Sequence, residues 1–79
     1  MAVAKKGGLR PFRELLREYR LSAGLTVTQL AKRSGVLRST IQLLESGERG
    51  EPRRWTMAAL AEALQIGPEL FFEKTGSRR

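Results

Sequence analysis

The stretch Thr26–Gly47, TVTQLAKRSGVLRSTIQLLESG, decides the fold. Thr26 is followed three residues later by Gln29, the spacing of a capping box: the threonine hydroxyl accepts from the residue-29 amide and the glutamine side chain returns to the Thr26 amide. A helix therefore starts at Val27, and Val27, Leu30 and Ala31 form its apolar stripe. Ser34-Gly35 stops it after two turns, because glycine tolerates the left-handed backbone that ends helices. Beyond Val36 a second segment, residues 38 to 46, turns Ile41 and Leu44 inward at i and i+3, and Gly47 closes it. Its outer side then carries Arg38, Ser39 and Gln42, with Thr40 and Leu43 at the flanks and Leu37 just ahead.

Upstream, a helix opens at Pro11, which the first turn tolerates, and runs through Phe12, Leu15, Leu16, Tyr19 and Ala23 to Gly24. Downstream, the loop 48–54 precedes a fourth helix in which Met57, Leu60, Ala61 and Leu64 recur at helical spacing, with Arg54, Trp55 and Thr56 as alternative starting points. Gly67-Pro68-Glu69 reads as N-cap, first-turn proline and acid beside the positive helix end, opening a fifth helix with Leu70, Phe71 and Phe72. No segment alternates as a strand would. The expectation is an all-α, five-helix domain over residues 9–73, between flexible basic tails at 1–8 and 74–79.

Seventy-nine residues accommodate one small domain. No apolar run approaches the roughly 20 residues that span a bilayer, and Lys5 and Lys6 precede no hydrophobic stretch of a secretory signal, so a cytoplasmic protein is expected. The absence of cysteine and histidine removes disulfides, thiolate zinc sites, nucleophilic thiols and imidazole bases. Eight glutamates without an aspartate form no catalytic set, and the chain reads as a non-enzyme without metal or cofactor. The net charge of +7 at a pI near 11.1 favours a polyanionic partner, nucleic acid ahead of an anionic membrane. Nine cations against two glutamates place all of that excess in residues 1–38.

Two short helices joined by Ser34-Gly35-Val36 have the spacing of a helix-turn-helix, in which the glycine allows close crossing, Val36 plugs the corner and Ala31 is small where the second helix passes. With Tyr19-Arg20, Gly24-Leu25-Thr26, Gln29-Leu30-Ala31, Ser34-Gly35-Val36, Ser39-Thr40-Ile41, Leu44-Glu45-Ser46-Gly47 and Leu60-Ala61-Glu62-Ala63-Leu64 in order, the chain resembles the phage-repressor-like proteins. These are the lambda and 434 repressor and Cro class, or XRE family. The resemblance covers about residues 12–72. It implies a lambda-repressor-like DNA-binding domain that acts as a dimer with its third helix in the major groove. It also implies a structural ion pair between Arg20 and Glu45. The chain departs from the family pattern at four places: Leu37 where the third helix usually has a Ser or Thr cap, Val27 where a polar donor is common, and Glu48 and Glu51 in a loop better suited to cations. The fourth is Arg54 in place of a buried leucine, with Trp55 expected to take over that packing.

Within this frame Arg38, Ser39 and Gln42 are the base-reading candidates, because forked arginine and amide side chains match guanine and adenine edges. Leu37, Thr40 and Leu43 are candidates for base or phosphate contact. Phosphate is assigned to the Val27 and Thr28 amides, the Thr28 hydroxyl, and Lys32, Arg33, Arg49, Arg53 and Arg54. Arg10, Arg13 and Arg17 read as solubilising charges that pair with Glu14 and Glu18. Leu70, Phe71 and Phe72 are consecutive and cannot all face one core, so Phe71 is expected inward and Ile66, Leu70 and Phe72 at a homodimer interface. The resulting function is a transcriptional regulator that occupies its operator on double-stranded DNA as a dimer, with repression and activation both open. Two other readings stand beside it: an antitoxin or similar protein-interaction module that covers a toxin, and a controller of a restriction-modification system.

Overall fold

The computed structural model describes residues 10–71. The expected tails at 1–8 and 74–79, the boundaries at 9 and 73, and Phe72 lie outside the described residues. Four helices follow in order: α1, Phe12–Ser22; α2, Val27–Ser34; α3, Arg38–Ser46; and α4, Arg54–Leu64. A fifth, α5, is helical at 69–71, its first turn closed by the Leu70 amide on Gly67 O and the Phe71 amide on Pro68 O, each at 3.0 Å. Among the described residues there is no strand.

Local chemistry sets the boundaries. Pro11 is the N-cap of α1 in extended conformation rather than its first helical residue, and its carbonyl accepts from the Glu14 and Leu15 amides. At α2 both halves of the capping box are made: the Gln29 amide donates to Thr26 Oγ1 at 3.0 Å and the Thr26 amide to Gln29 Oε1 at 2.9 Å. Gly35 ends the helix at φ 77°, its amide donating to Ala31 O. α4 ends differently, at Gln65 with φ 62°, a left-handed backbone that costs a non-glycine side chain.

α3 packs on both α1 and α2, and α2 packs on α4. Leu15, Leu16, Leu30, Ile41, Leu44, Met57, Leu60 and Phe71 are fully buried between them. Each contributes about 1.5–3 kcal/mol of apolar transfer, so the inner face of α3 is sealed in the core and its position is set by packing. Phe71 meets Phe12 edge-on at 4.9 Å between ring centroids and Tyr19 at 5.7 Å, closing the core beneath α1.

The expectation for Trp55 is corrected: its side chain is 67% exposed. At about 100° per residue, Trp55 points some 160° away from Met57, the centre of the buried stripe of α4. A one-residue offset from Arg54 therefore carries the indole to the far side of the helix. Thr56 and Met57 are the buried residues of the first turn instead. Among the described residues no helix is long and apolar enough to cross a membrane.

Candidate nucleic-acid interface

α3 is held by its inner residues, and its outer face is determined by them. With Ile41 and Leu44 buried, Arg38, Ser39 and Gln42 are exposed, Thr40 and Leu43 are half-buried at the flanks, and Leu37 is 71% exposed at the N-cap. Arg38 and Gln42 lie one turn apart on one face and present a guanidinium fork and an amide, the two groups whose paired donors and acceptors match purine edges in a major groove. Leu37 provides no side-chain cap, so nothing from that side chain covers the first-turn amides of α3.

The turn in front of α3 is built to present that face. Val36 is buried in the corner, its amide donating to Ser34 Oγ at 3.1 Å, and Gly35 supplies the positive φ. Behind α3, the Arg49 amide donates to Leu43 O at 3.2 Å, and Ser46 Oγ donates to the same carbonyl while accepting from the Glu48 amide. These bonds fold the loop after α3 back against the helix that carries Gln42.

Arg20 joins three elements. Its Nε donates to Glu45 Oε2 at 2.7 Å and one terminal nitrogen to Glu45 Oε1 at 2.9 Å, a bidentate pair between α1 and α3 with side chains only 12% and 11% exposed. Its other terminal nitrogen donates to Leu25 O at 2.9 Å, in the α1–α2 turn. The hydrogen bonds from Arg20 to Glu45 raise the guanidinium above its ordinary pKa, against the opposing effect of burial. The Leu25 bond was not foreseen from the sequence, where only the charge pair carries a signal.

The cation candidates are not all brought together. Leu37, Thr40, Arg49 and Arg53 line one groove of about 580 Å³ with Pro52, Trp55, Thr56 and Glu51, directly beside the N-terminus of α3. Lys32 is exposed in the last turn of α2 and Arg54 at the start of α4. Arg33 stands apart, in a cleft between α2 and α4 lined by Ser34, Ala59, Glu62, Ala63 and Gln65. At the start of α2, Thr28 is exposed, whereas the Val27 side chain packs partly on the core and leaves only its backbone for a ligand. Just ahead of α1, Arg10 contacts Glu18 at 2.6 Å and Glu14 at 3.7 Å on that helix, an exposed surface network. Ile66 and Leu70 are half-buried, and Ile66 packs against the core.

A family model described as a helix-turn-helix domain matches residues 11–71. Two regulators of Bacillus subtilis are similar over 68 residues, 86% of this chain: the HTH-type transcriptional repressor RghR at 44% identity and the uncharacterized HTH-type transcriptional regulator RghRB at 40%. The chain spans about half the length of these relatives, 50% and 49% respectively. Among solved structures, the restriction-modification controller protein C.AhdI from Aeromonas hydrophila superposes with a TM-score of 0.72 at 38% identity, over 77% of this chain and 91% of that one. The match over 11–71, the left-handed Gly35 turn and the buried inner face of α3 lead to one conclusion: the chain belongs to the helix-turn-helix domain family, in its phage-repressor-like, XRE-type branch.

Proposed function

We propose that the protein is a sequence-specific regulator that binds double-stranded DNA with α3 in the major groove and acts by occupying its operator as a two-fold dimer. The observation that carries this reading is the division of α3: Ile41 and Leu44 anchor it in the core while Arg38, Ser39 and Gln42 stand exposed together on its outer face. The three exposed side chains read base edges, and Leu37, Thr40 and Leu43 add contacts to thymine methyls or the adjoining backbone. The Val27 and Thr28 amides, with Lys32, Arg49, Arg53 and Arg54, fix the register on phosphates. Selection of bound sites from a random duplex pool, followed by equilibrium binding across a salt series, tests the proposal. A recovered palindrome with two half-sites about one helical turn apart is expected, and a pool that never enriches would overturn it.

The likeness to C.AhdI, which spans nearly all of that controller, supports control of a restriction-modification system as the setting. Binding of the selected site within the promoter of a neighbouring nuclease or methyltransferase gene is the outcome that this setting requires.

A further inference from the structure

Trp55 is unused by the core and by the contacts proposed above, yet it is the single tryptophan of the chain and stands 67% exposed. It lines the same groove as Leu37 and Pro52, so three apolar residues share one concave surface, with Arg49, Arg53 and Glu51 also on its walls. Leu37 and Thr40 belong both to this groove and to the N-terminal end of α3, which makes it continuous with the base-reading face. The placement is fixed by backbone bonds: the Arg53 carbonyl accepts from the Met57 amide at 3.0 Å and the Arg49 amide binds Leu43 O, so α4 and the loop both hold their groove residues against the fold.

An exposed apolar patch of this kind is ordinary for a protein-protein contact, but two cations among its walls favour a ligand that alternates apolar and anionic groups. The strand of a DNA duplex does so, with a deoxyribose between successive phosphates. We infer that Trp55 is a DNA-backbone residue: the indole packs on a deoxyribose of the strand bordering the α3 contact, with Arg49 and Arg53 meeting the phosphates beside it. The inference rests on the DNA-binding reading and adds to it a sequence-independent contact that carries no charge. Its energetic signature therefore differs from that of the arginines. Loss of the indole weakens binding to every duplex but leaves the salt dependence in place, because no counterion is released through it.

As the chain has one tryptophan, intrinsic emission reports on this residue alone. The experiment is a titration of the protein with its selected duplex and with an arbitrary duplex of equal length, read by tryptophan emission and by anisotropy of labelled DNA. Both duplexes should change the emission in step with anisotropy. Trp55→Ala should lower affinity for both by about tenfold at an unchanged salt slope, with Trp55→Phe restoring most of it. Arg53→Ala should instead reduce the slope by about one. Circular dichroism of the two tryptophan variants should match the parent, since the side chain lies outside the core. Unchanged emission at saturating DNA would overturn the inference and leave the regulator reading standing. Emission that responds to protein concentration without DNA would overturn it in favour of a second copy seated on the groove. Absence of duplex binding at any salt would overturn both readings.

Discussion

Arg20 shows how much one side chain can hold. It ties α1 to α3 through Glu45 and to the α1–α2 turn through Leu25 O, with little of either charged group left to solvent. Removing one partner leaves the other charge half-covered and unpaired, so Arg20→Ala should cost about 3 kcal/mol. For a domain of this size that lowers the thermal midpoint by more than about 10 °C, which a melting curve measures directly. The guanidinium pKa is raised in the fold. Its contribution is therefore fully present below the ordinary arginine pKa and is lost only as pH climbs through the raised value, so the deficit of Arg20→Ala should stay constant across neutral and mildly alkaline melts. Gln65 makes the opposite case. It occupies left-handed backbone at the end of α4, and Gln65→Gly removes that cost. The variant should gain about 1 kcal/mol, a rise of roughly 4 °C or more in the midpoint.

The elements differ in how plainly the sequence announces them. α2 and α3 were legible to the residue, because a capping box opens one and left-handed glycines close both. The start of α4 was ambiguous, since Arg53 caps it through backbone alone and no side chain marks the place. Trp55 was misplaced for a related reason: composition says that a tryptophan is worth burying, whereas helical angle decides whether it can be. The outer face of α3 followed once Ile41 was known to point inward, but no spacing or motif separates Arg33, which faces one cleft, from Arg49 and Arg53, which line another. Those distinctions arise from the crossing of α2 over α4, which spacing does not encode. At this scale the division of labour between helices is testable. Arg38→Ala on α3 should relax preference at a single operator position. Lys32→Ala on α2 should weaken all sequences alike and reduce the salt slope by about one. Competition binding against operators substituted one position at a time separates the two; uniform weakening by Arg38→Ala would make it a phosphate contact.

For the whole molecule, the proposed dimer follows from reach. One recognition helix of nine residues spans only a few base pairs, too few to single out a site in a genome, so two copies on adjacent half-sites are needed. We place the interface at the C-terminal end of the domain, where Ile66 and Leu70 keep part of their surface uncovered and Phe72 follows the buried Phe71. Sedimentation at micromolar concentration should show a dimer, with and without operator, and Phe72→Glu should lose both self-association and operator affinity. A monomer bound one per site would refute this arrangement. The position of Phe71 has a consequence for how the protein is made. Every residue proposed to touch DNA has already been synthesised by the time residue 55 is added, yet the ring that fills the space under Phe12 and Tyr19 arrives sixteen positions later. A nascent, prematurely ended or clipped copy lacking that ring forgoes roughly 3–5 kcal/mol out of a total stability of only about 5–15 kcal/mol. It retains the full set of contact residues on a weakened core that holds them in line for less of the time, and so it competes poorly for operators against finished molecules.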